Sequence, residues 1–238
     1  MREQFQEELS LLGENLVAMA QLAESAVTRA TRALLDADRE LAETVIAADE
    51  RIDELQQQLE QRCLQILARQ QPVATDLRVV VTALRMGLDL ERMGDLARHV
   101  AKLARLRHPA SVVPEEMRDT VLRMGEVAQR IVAKTAELIA TRDLALAEQL
   151  EIDDDEMDRL HRDVFAYLLT GEESRAAELA VDLTLLGRYY ERFADHAVSV
   201  ARRVAFLVTG SYEDHRAATR AATASTATAR VVEPGRPL

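Results

Sequence analysis

Apolar residues recur along this chain in alternating steps of three and four. The first stripe runs Phe5, Leu9, Leu12, Leu16, Met19, Ala23, Ala26 and Ala30, the spacing that lays one face of a long helix against a core. Asp36-Ala37-Asp38 interrupts it and offers a cap for the next helix. A second stripe follows at Leu41, Val45, Ala48, Ile52, Leu55, Leu59, Cys63 and Ile66. It ends before Gln70-Gln71-Pro72, because the residue ahead of a proline avoids the α region. Thr75 is the expected cap of a third helix over about 76–107, with the stripe Met86, Leu90, Met93, Ala97 and Val100.

The three-helix pattern then recurs. His108-Pro109 to Val113-Pro114 reads as a linker, and further helices are predicted over roughly 115–140, 143–169 and 173–209, with Gly210 placed to end the last. Residues 87–101, GLDLERMGDLARHVA, align without a gap on residues 187–201, GRYYERFADHAVSVA. The second helices also correspond, Asp49–Leu55 with Asp154–Leu160, at an offset five residues larger. The turn before the third helix is longer by that amount in the first copy. The fold class expected is therefore all-α: two tandem three-helix up-down-up bundles made of six long helices. Residues 1–108 form the first repeat and 109–212 the second. Residues 213–238 are an Ala/Thr-rich tail with too few large apolar groups to bury, and are expected to be disordered.

Composition narrows the class. The chain has 238 residues, 48% of them apolar but only 3% aromatic, with no Trp, eight Gly and five Pro. That is helical material. A net charge of −11 argues against a nucleic-acid partner. No apolar run is long enough to span a membrane, and the charged N-terminus is unlike a signal peptide. The lone Cys63 excludes an intramolecular disulfide, lies on an apolar stripe and reads as core. The expected location is cytoplasmic. No Gly-rich phosphate loop, nucleophile elbow or Cys/His zinc spacing occurs, so no enzyme activity is expected.

The candidate chemistry lies in the repeated acids. Glu91 and Asp95, four apart on a helix, recur as Glu191 and Asp195. Acid pairs at this spacing are common by chance in a chain with 41 acids, so repetition and height must decide. Antiparallel helices joined by a turn bring residues equidistant from that turn to one level. Asp53 with Glu91, and Asp49 with Asp95, are each centred on Pro72. In the second repeat Asp158 with Glu191, and Asp154 with Asp195, are both centred between Ser174 and Arg175. Most of these acids follow a stripe residue directly, which rotates them about 100° from the core seam onto its flank. Four carboxylates so placed repel one another unless a cation compensates them. Oxygen-only ligation suits hard cations such as Mg²⁺, Mn²⁺, Ca²⁺ or iron.

Other residues offer less. Asp158-Arg159-Leu160-His161 imitates half of a di-iron carboxylate-x-x-His pair, but the first repeat has Gln56 there. His99 is a rim candidate whose counterpart is Ser199. Tyr190 reads as core and Tyr189 as flank. Two readings of other classes stay open: a metalloenzyme or iron store, against which the lack of a repeated ExxH argues, and a structural scaffold whose acids form solvated faces paired to Arg92 and Arg192.

With Arg69-Gln70-Gln71-Pro72-Val73-Ala74-Thr75-Asp76-Leu77-Arg78, Leu90-Glu91-Arg92-Met93-Gly94-Asp95 and Tyr190-Glu191-Arg192-Phe193-Ala194-Asp195 in view, the chain resembles the PhoU family over about residues 1–212. The likeness is greatest to its actinobacterial PhoY type. That resemblance implies pseudo-twofold symmetry between the bundles, and surface metal clusters. It assigns Asp49, Asp53, Glu91 and Asp95 to one cluster, and Asp154, Asp158, Glu191 and Asp195 to the other. The metal ions implied are iron, Mg, Mn or Zn. The implied partners are the ATPase subunit of the phosphate ABC transporter and a PhoR-type sensor histidine kinase, with membrane association only through them, and a homodimer is expected. The implied role is repression of the phosphate-starvation response when phosphate is sufficient. One departure is Phe193-Ala194, where the family has Ile/Met-Gly, so the expectation is two related sites rather than two identical ones.

Overall fold

Most predicted stripe residues land on buried helix faces, but Ala48 is exposed and its neighbour Asp49, expected on the flank, is buried instead. Leu12, Leu16, Met19, Ile52, Leu59, Cys63, Leu90, Met93, Phe193 and Tyr190 are among the fully or nearly fully buried side chains. In the computed structural model, residues 2–169 and 177–211 are described. The expected tail at 213–238, and residue 173, where the sequence predicts the last helix to begin, lie outside the described residues, as does the midpoint between Ser174 and Arg175. The helices are α1 (Arg2–Leu35), α2 (Arg39–Ala48), α3 (Glu50–Gln70), α4 (Ala74–Arg107), α5 (Arg118–Thr141), α6 (Leu144–Leu169) and α7 (Ala177–Thr209). A 3₁₀ turn, Glu115–Met117, leads into α5.

Local chemistry sets the helix ends. Asp38 caps α2 by accepting from the Leu41 N–H at 2.9 Å. Gln71 closes α3 in the left-handed region, with φ 47°. Gly210 takes φ 78° and its N–H donates to the Phe206 carbonyl at 2.9 Å. Thr75 is not the cap of α4: the helix starts at Ala74, behind Val73, with no side-chain cap bond. Thr75 thus falls inside the first turn, where its hydroxyl is past the position from which it could cap. The predicted second helix is one rod bent at Asp49 into α2 and α3. There the Ile52 N–H donates to the Asp49 carbonyl at 2.9 Å while the Asp53 N–H is stretched to 3.3 Å, a 3₁₀-like tightening.

Helices α1, α4, α7 and α5 form a central ring of four. The α2–α3 rod fills the groove between α1 and α4, and α6 fills the groove between α5 and α7. First-repeat helices touch their own second-repeat counterparts, α1 on α5 and α4 on α7, as elements astride a twofold axis must. One continuous apolar interior serves both repeats. The linker belongs to it: Val112, Val113 and Met117 are buried, and the His108 ring hydrogen-bonds the Ala37 carbonyl at 2.9 Å.

Polar contacts lock the two repeats in register. Asp89 on α4 is buried between His196 (3.1 Å) and Arg203 (2.8 Å) of α7. Arg107 holds Asp182 at 2.6 Å and Glu178 at 3.1 Å. The Tyr190 hydroxyl meets Thr31 Oγ1 at 2.7 Å, and burial pushes that phenol's pKa up. His99 stacks on Tyr189, ring centroids 5.2 Å apart. His99 stands five residues beyond Gly94 and Tyr189 five before Ala194, so α4 and α7 cross with Gly94 and Ala194 level.

Two glycines test the packing with opposite signs. A methyl at Gly125 would sit 2.4 Å from Thr31 Cγ2 and 2.7 Å from its Oγ1. Thr31 cannot turn away without breaking its bonds to Tyr190 and to the Val27 carbonyl. Gly125→Ala is therefore expected to destabilise by about 1–3 kcal/mol. Gly13 has open space at the same position, so Gly13→Ala should stabilise its helix by about 0.5–1 kcal/mol. Chemical denaturation midpoints of the two variants should move in opposite directions.

Candidate metal centre

The bend at Asp49 delivers a carboxylate into the seam between the α2–α3 rod and α4. Close approach there depends on Gly94. A methyl on it would lie 2.7 Å from Ile52 Cδ1 and 3.1 Å from Asp49 Oδ1. Asp49 is 4% exposed, while Asp53, Glu91 and Asp95 are half-buried around it. The first predicted set of four is therefore brought together.

Its electrostatics follow from burial and crowding. Burial raises the Asp49 pKa; Arg98 opposes the rise, while Asp53 and Asp95 add to it. Burial likewise raises Glu91, with Asp95 and Asp53 adding repulsion and Arg92 opposing it. Four arginine contacts partly compensate. Arg98 Nη1 lies 2.8 Å from Asp49 Oδ2, and its Nη2 donates to Asp95 Oδ1. Arg92 reaches Asp95 at 3.0 Å and Glu91 at 3.4 Å. The compensation is incomplete. The Arg98–Asp49 approach is off the hydrogen-bonding direction, so Asp49 Oδ2 is buried with no hydrogen-bond partner, and so is Arg98 Nε.

The second set is related but more open. Asp154 is buried on α6, whereas Asp158 and Asp195 are exposed. Burial raises the Glu191 pKa, with repulsion from Asp195 and Asp158 adding and Arg188 opposing. Arg188 Nη1 donates to both Glu191 oxygens. The arginine in this role is thus Arg188, not Arg192. Ala194, fully buried, carries the methyl that Gly94 lacks. His161 borders this seam against Gly187 and Phe165. Its Nε2 is buried without a hydrogen bond, and burial, then Arg188, lowers its pKa.

As the side chains stand, no three carboxylate, imidazole or thiol groups among the described residues form a ready ligand cage. The donor chemistry of the first patch nonetheless fits a hard cation: four carboxylates, with one buried oxygen that is ion-paired to Arg98 but accepts no hydrogen bond. Cys63 is plain core, its thiol pushed up to about 11 by burial. Sequence reasoning missed Arg98, Asp89 and Arg203. Asp89 carried a signal, since it is a charge directly before the stripe residue Leu90. For Arg98 the signal was its place one turn beyond Asp95.

Comparison with known proteins bears on the whole arrangement. The PhoU domain model matches twice, over residues 16–104 and 121–204. The phosphate-specific transport system accessory protein PhoU homolog 2 of Mycobacterium tuberculosis is 48% identical over 212 residues, covering 89% of this chain and all of that protein. The crystal structure of PhoU from Pseudomonas aeruginosa superposes with a TM-score of 0.77 at 32% identity, covering 87% of this chain and all of that one. That of the phosphate transport system regulatory protein PhoU from Streptococcus pneumoniae gives 0.79 at 25% identity, with 88% and 99% covered. With both repeats matched in order and the six-rod architecture shared, this chain belongs to the PhoU family.

Proposed function

We propose that this protein is an accessory regulator of phosphate uptake. The observation that carries the reading is the likeness, end to end, to a phosphate-specific transport system accessory protein at 48% identity. In this role it joins the ATPase subunit of a phosphate ABC transporter to a PhoR-type sensor histidine kinase, and represses the starvation response when phosphate is sufficient. It works in the cytoplasm as a homodimer. None of its helices among the described residues is long and apolar enough to cross a membrane, so contact with the membrane comes through partners. Long rods sharing one core suit an adaptor, because they present surfaces at fixed spacing.

The acidic patches serve the same role as cation sites. Asp49, Asp53, Glu91 and Asp95 would hold one ion or cluster, and Asp154, Asp158, Glu191 and Asp195 the other. Iron, Mg, Mn or Zn are the candidates. Such an ion supplies positive charge where carboxylates of two helices crowd, and so ties the second helix of each repeat to the third. Asp49 anchors the first patch from the bend, and Glu91 and Asp95 present oxygens from the opposing helix. Gly94 keeps the two helices close enough to share a ligand.

Three outcomes follow. Purified protein should capture both the transporter ATPase and the cytoplasmic part of the kinase in pull-downs; capture of neither sinks the adaptor reading. Protein prepared without chelators should carry metal by elemental analysis, and the Glu91→Gln/Asp95→Asn variant should lose at least the first patch's share. Equal metal in the two proteins rules that patch out. The third concerns pH. A carboxyl whose folded pKa is raised destabilises the fold when ionised. That cost is absent below its unfolded pKa and fully present above the folded one. Asp49, Glu91 and Glu191 should therefore stabilise metal-free protein as pH falls from neutral through their raised values. Glu91→Gln, neutral throughout, should be more stable than the parent at pH 7 and show a shallower gain on acidification in thermal melts.

A further inference from the structure

Among the described residues, Arg98 is the cation whose side chain pairs directly with Asp49, the most deeply buried carboxylate of the first patch. Its guanidinium spans Asp49 on the bent rod and Asp95 on its own helix. It balances charge there without completing the hydrogen bonds, since Asp49 Oδ2 and Arg98 Nε both stay buried and unpartnered. A small spherical cation has no such directional mismatch, because it accepts oxygen lone pairs from several sides. A guanidinium holds its donors fixed in one plane, and here the nitrogen nearest Asp49 Oδ2, at 2.8 Å, makes an ion pair without a hydrogen bond. Arg98 is 28% exposed, so part of its side chain already borders water.

The second repeat supplies a contrast. The residue aligned with Arg98 is Val198, 3% exposed. The second patch takes its arginine from the other direction, Arg188, which is 49% exposed and touches Glu191 rather than a buried aspartate. The aligned residue in the first repeat is Leu88. The arginine at the position of Arg98 is thus particular to the first repeat.

We infer that Arg98 is the resident counter-cation of the first acidic patch, and that a divalent cation enters this patch by exchange with its guanidinium. Arg98 sets the affinity there: it stabilises the metal-free seam and competes with the metal for Asp49 and Asp95. Arg92 is a lesser competitor, being 61% exposed and therefore screened. Lys102, one turn beyond Arg98, also acts on Asp49 through space, and it is the natural neighbour to keep unchanged in a test.

The inference rests on the cation-site reading, and the experiment separates the two. Full-length protein carrying Glu191→Gln/Asp195→Asn, so that only the first patch can bind, is stripped of metal and titrated with Mn²⁺ by equilibrium dialysis, with and without Arg98→Gln. Removing a unit charge at contact distance should tighten binding at least about tenfold, while the metal-free melting midpoint falls. Unchanged or weaker binding in Arg98→Gln, with normal binding in its parent, overturns the exchange and leaves the site. No Mn²⁺ bound to either protein overturns both. Should Arg98→Gln fail to fold, the nitrogen-labelled arginine side-chain spectrum of the natural chain decides. The Arg98 Nε–H signal, assigned by its loss in Arg98→Lys, should move on saturation with Mg²⁺. A signal that stays in place at saturation overturns the exchange.

Discussion

A carboxylate removed from water must meet a cation and have its lone pairs satisfied, or it costs more than the packing around it returns. Among the described residues five aspartates are nine-tenths or more buried: Asp49, Asp89, Asp153, Asp154 and Asp182. Three show the constraint met in full. Asp89 accepts from His196 and Arg203, Asp153 from Arg130 and Lys134, and Asp182 from Arg107 at both oxygens. Each joins two packed helices, α4 to α7 or α5 to α6, so the pairs fix register as well as charge. Asp49 departs from the pattern. Its arginine is near, but one oxygen is left unpartnered. Against those three the Asp49 pair is an ion pair without the hydrogen bond that usually completes it.

Much of this was legible in the sequence because helix periodicity survives any packing partner. The stripes, the caps at Asp38 and Gly210 and the level of Asp53 with Glu91 all follow from residue spacing along one rod or about one turn. What was not legible depends on contacts between rods of different repeats. The bend at Asp49 leaves no Gly or Pro behind it, so nothing local announced it. Thr75 looked like a cap because its chemistry is right; the turn geometry set by Gln71 and Pro72 shifted the helix start past it. Arg98 and Asp95 could be paired from sequence, being three apart on a helix. That the same guanidinium would also reach Asp49 needed the distance between α4 and the bent rod.

The linker is a further case where local signals mislead. Two prolines close together read as a tether between bundles, yet Val112 and Val113 are buried and the core runs through. The reason lies in the faces left open. A three-helix unit with stripes this wide buries only part of its apolar surface alone, and α1 and α4 present the remainder to α5 and α7. Duplication therefore yields two halves of one folded body.

That shared body explains why the copies were free to diverge. In a twofold interface each contact occurs twice, so an unbalanced pair is paid for twice. Where the two halves are one chain, the equivalent positions can differ. At one end of the α4–α7 crossing Asp89 meets His196 and Arg203; at the aligned positions the chain has the uncharged Tyr189, Leu96 and Leu103, and Tyr189 stacks on His99 instead. The same freedom separates the acidic patches: Gly94 against Ala194, Arg98 against Val198, Gln56 against His161. Each exchange alters how closely the second and third helices approach, or what competes for the carboxylates between them. A duplicated site kept for packing alone would gain nothing from such differences at its acids. These fall on the acids' immediate neighbours while all eight carboxylates persist, so the two patches share their acids and differ in what surrounds them.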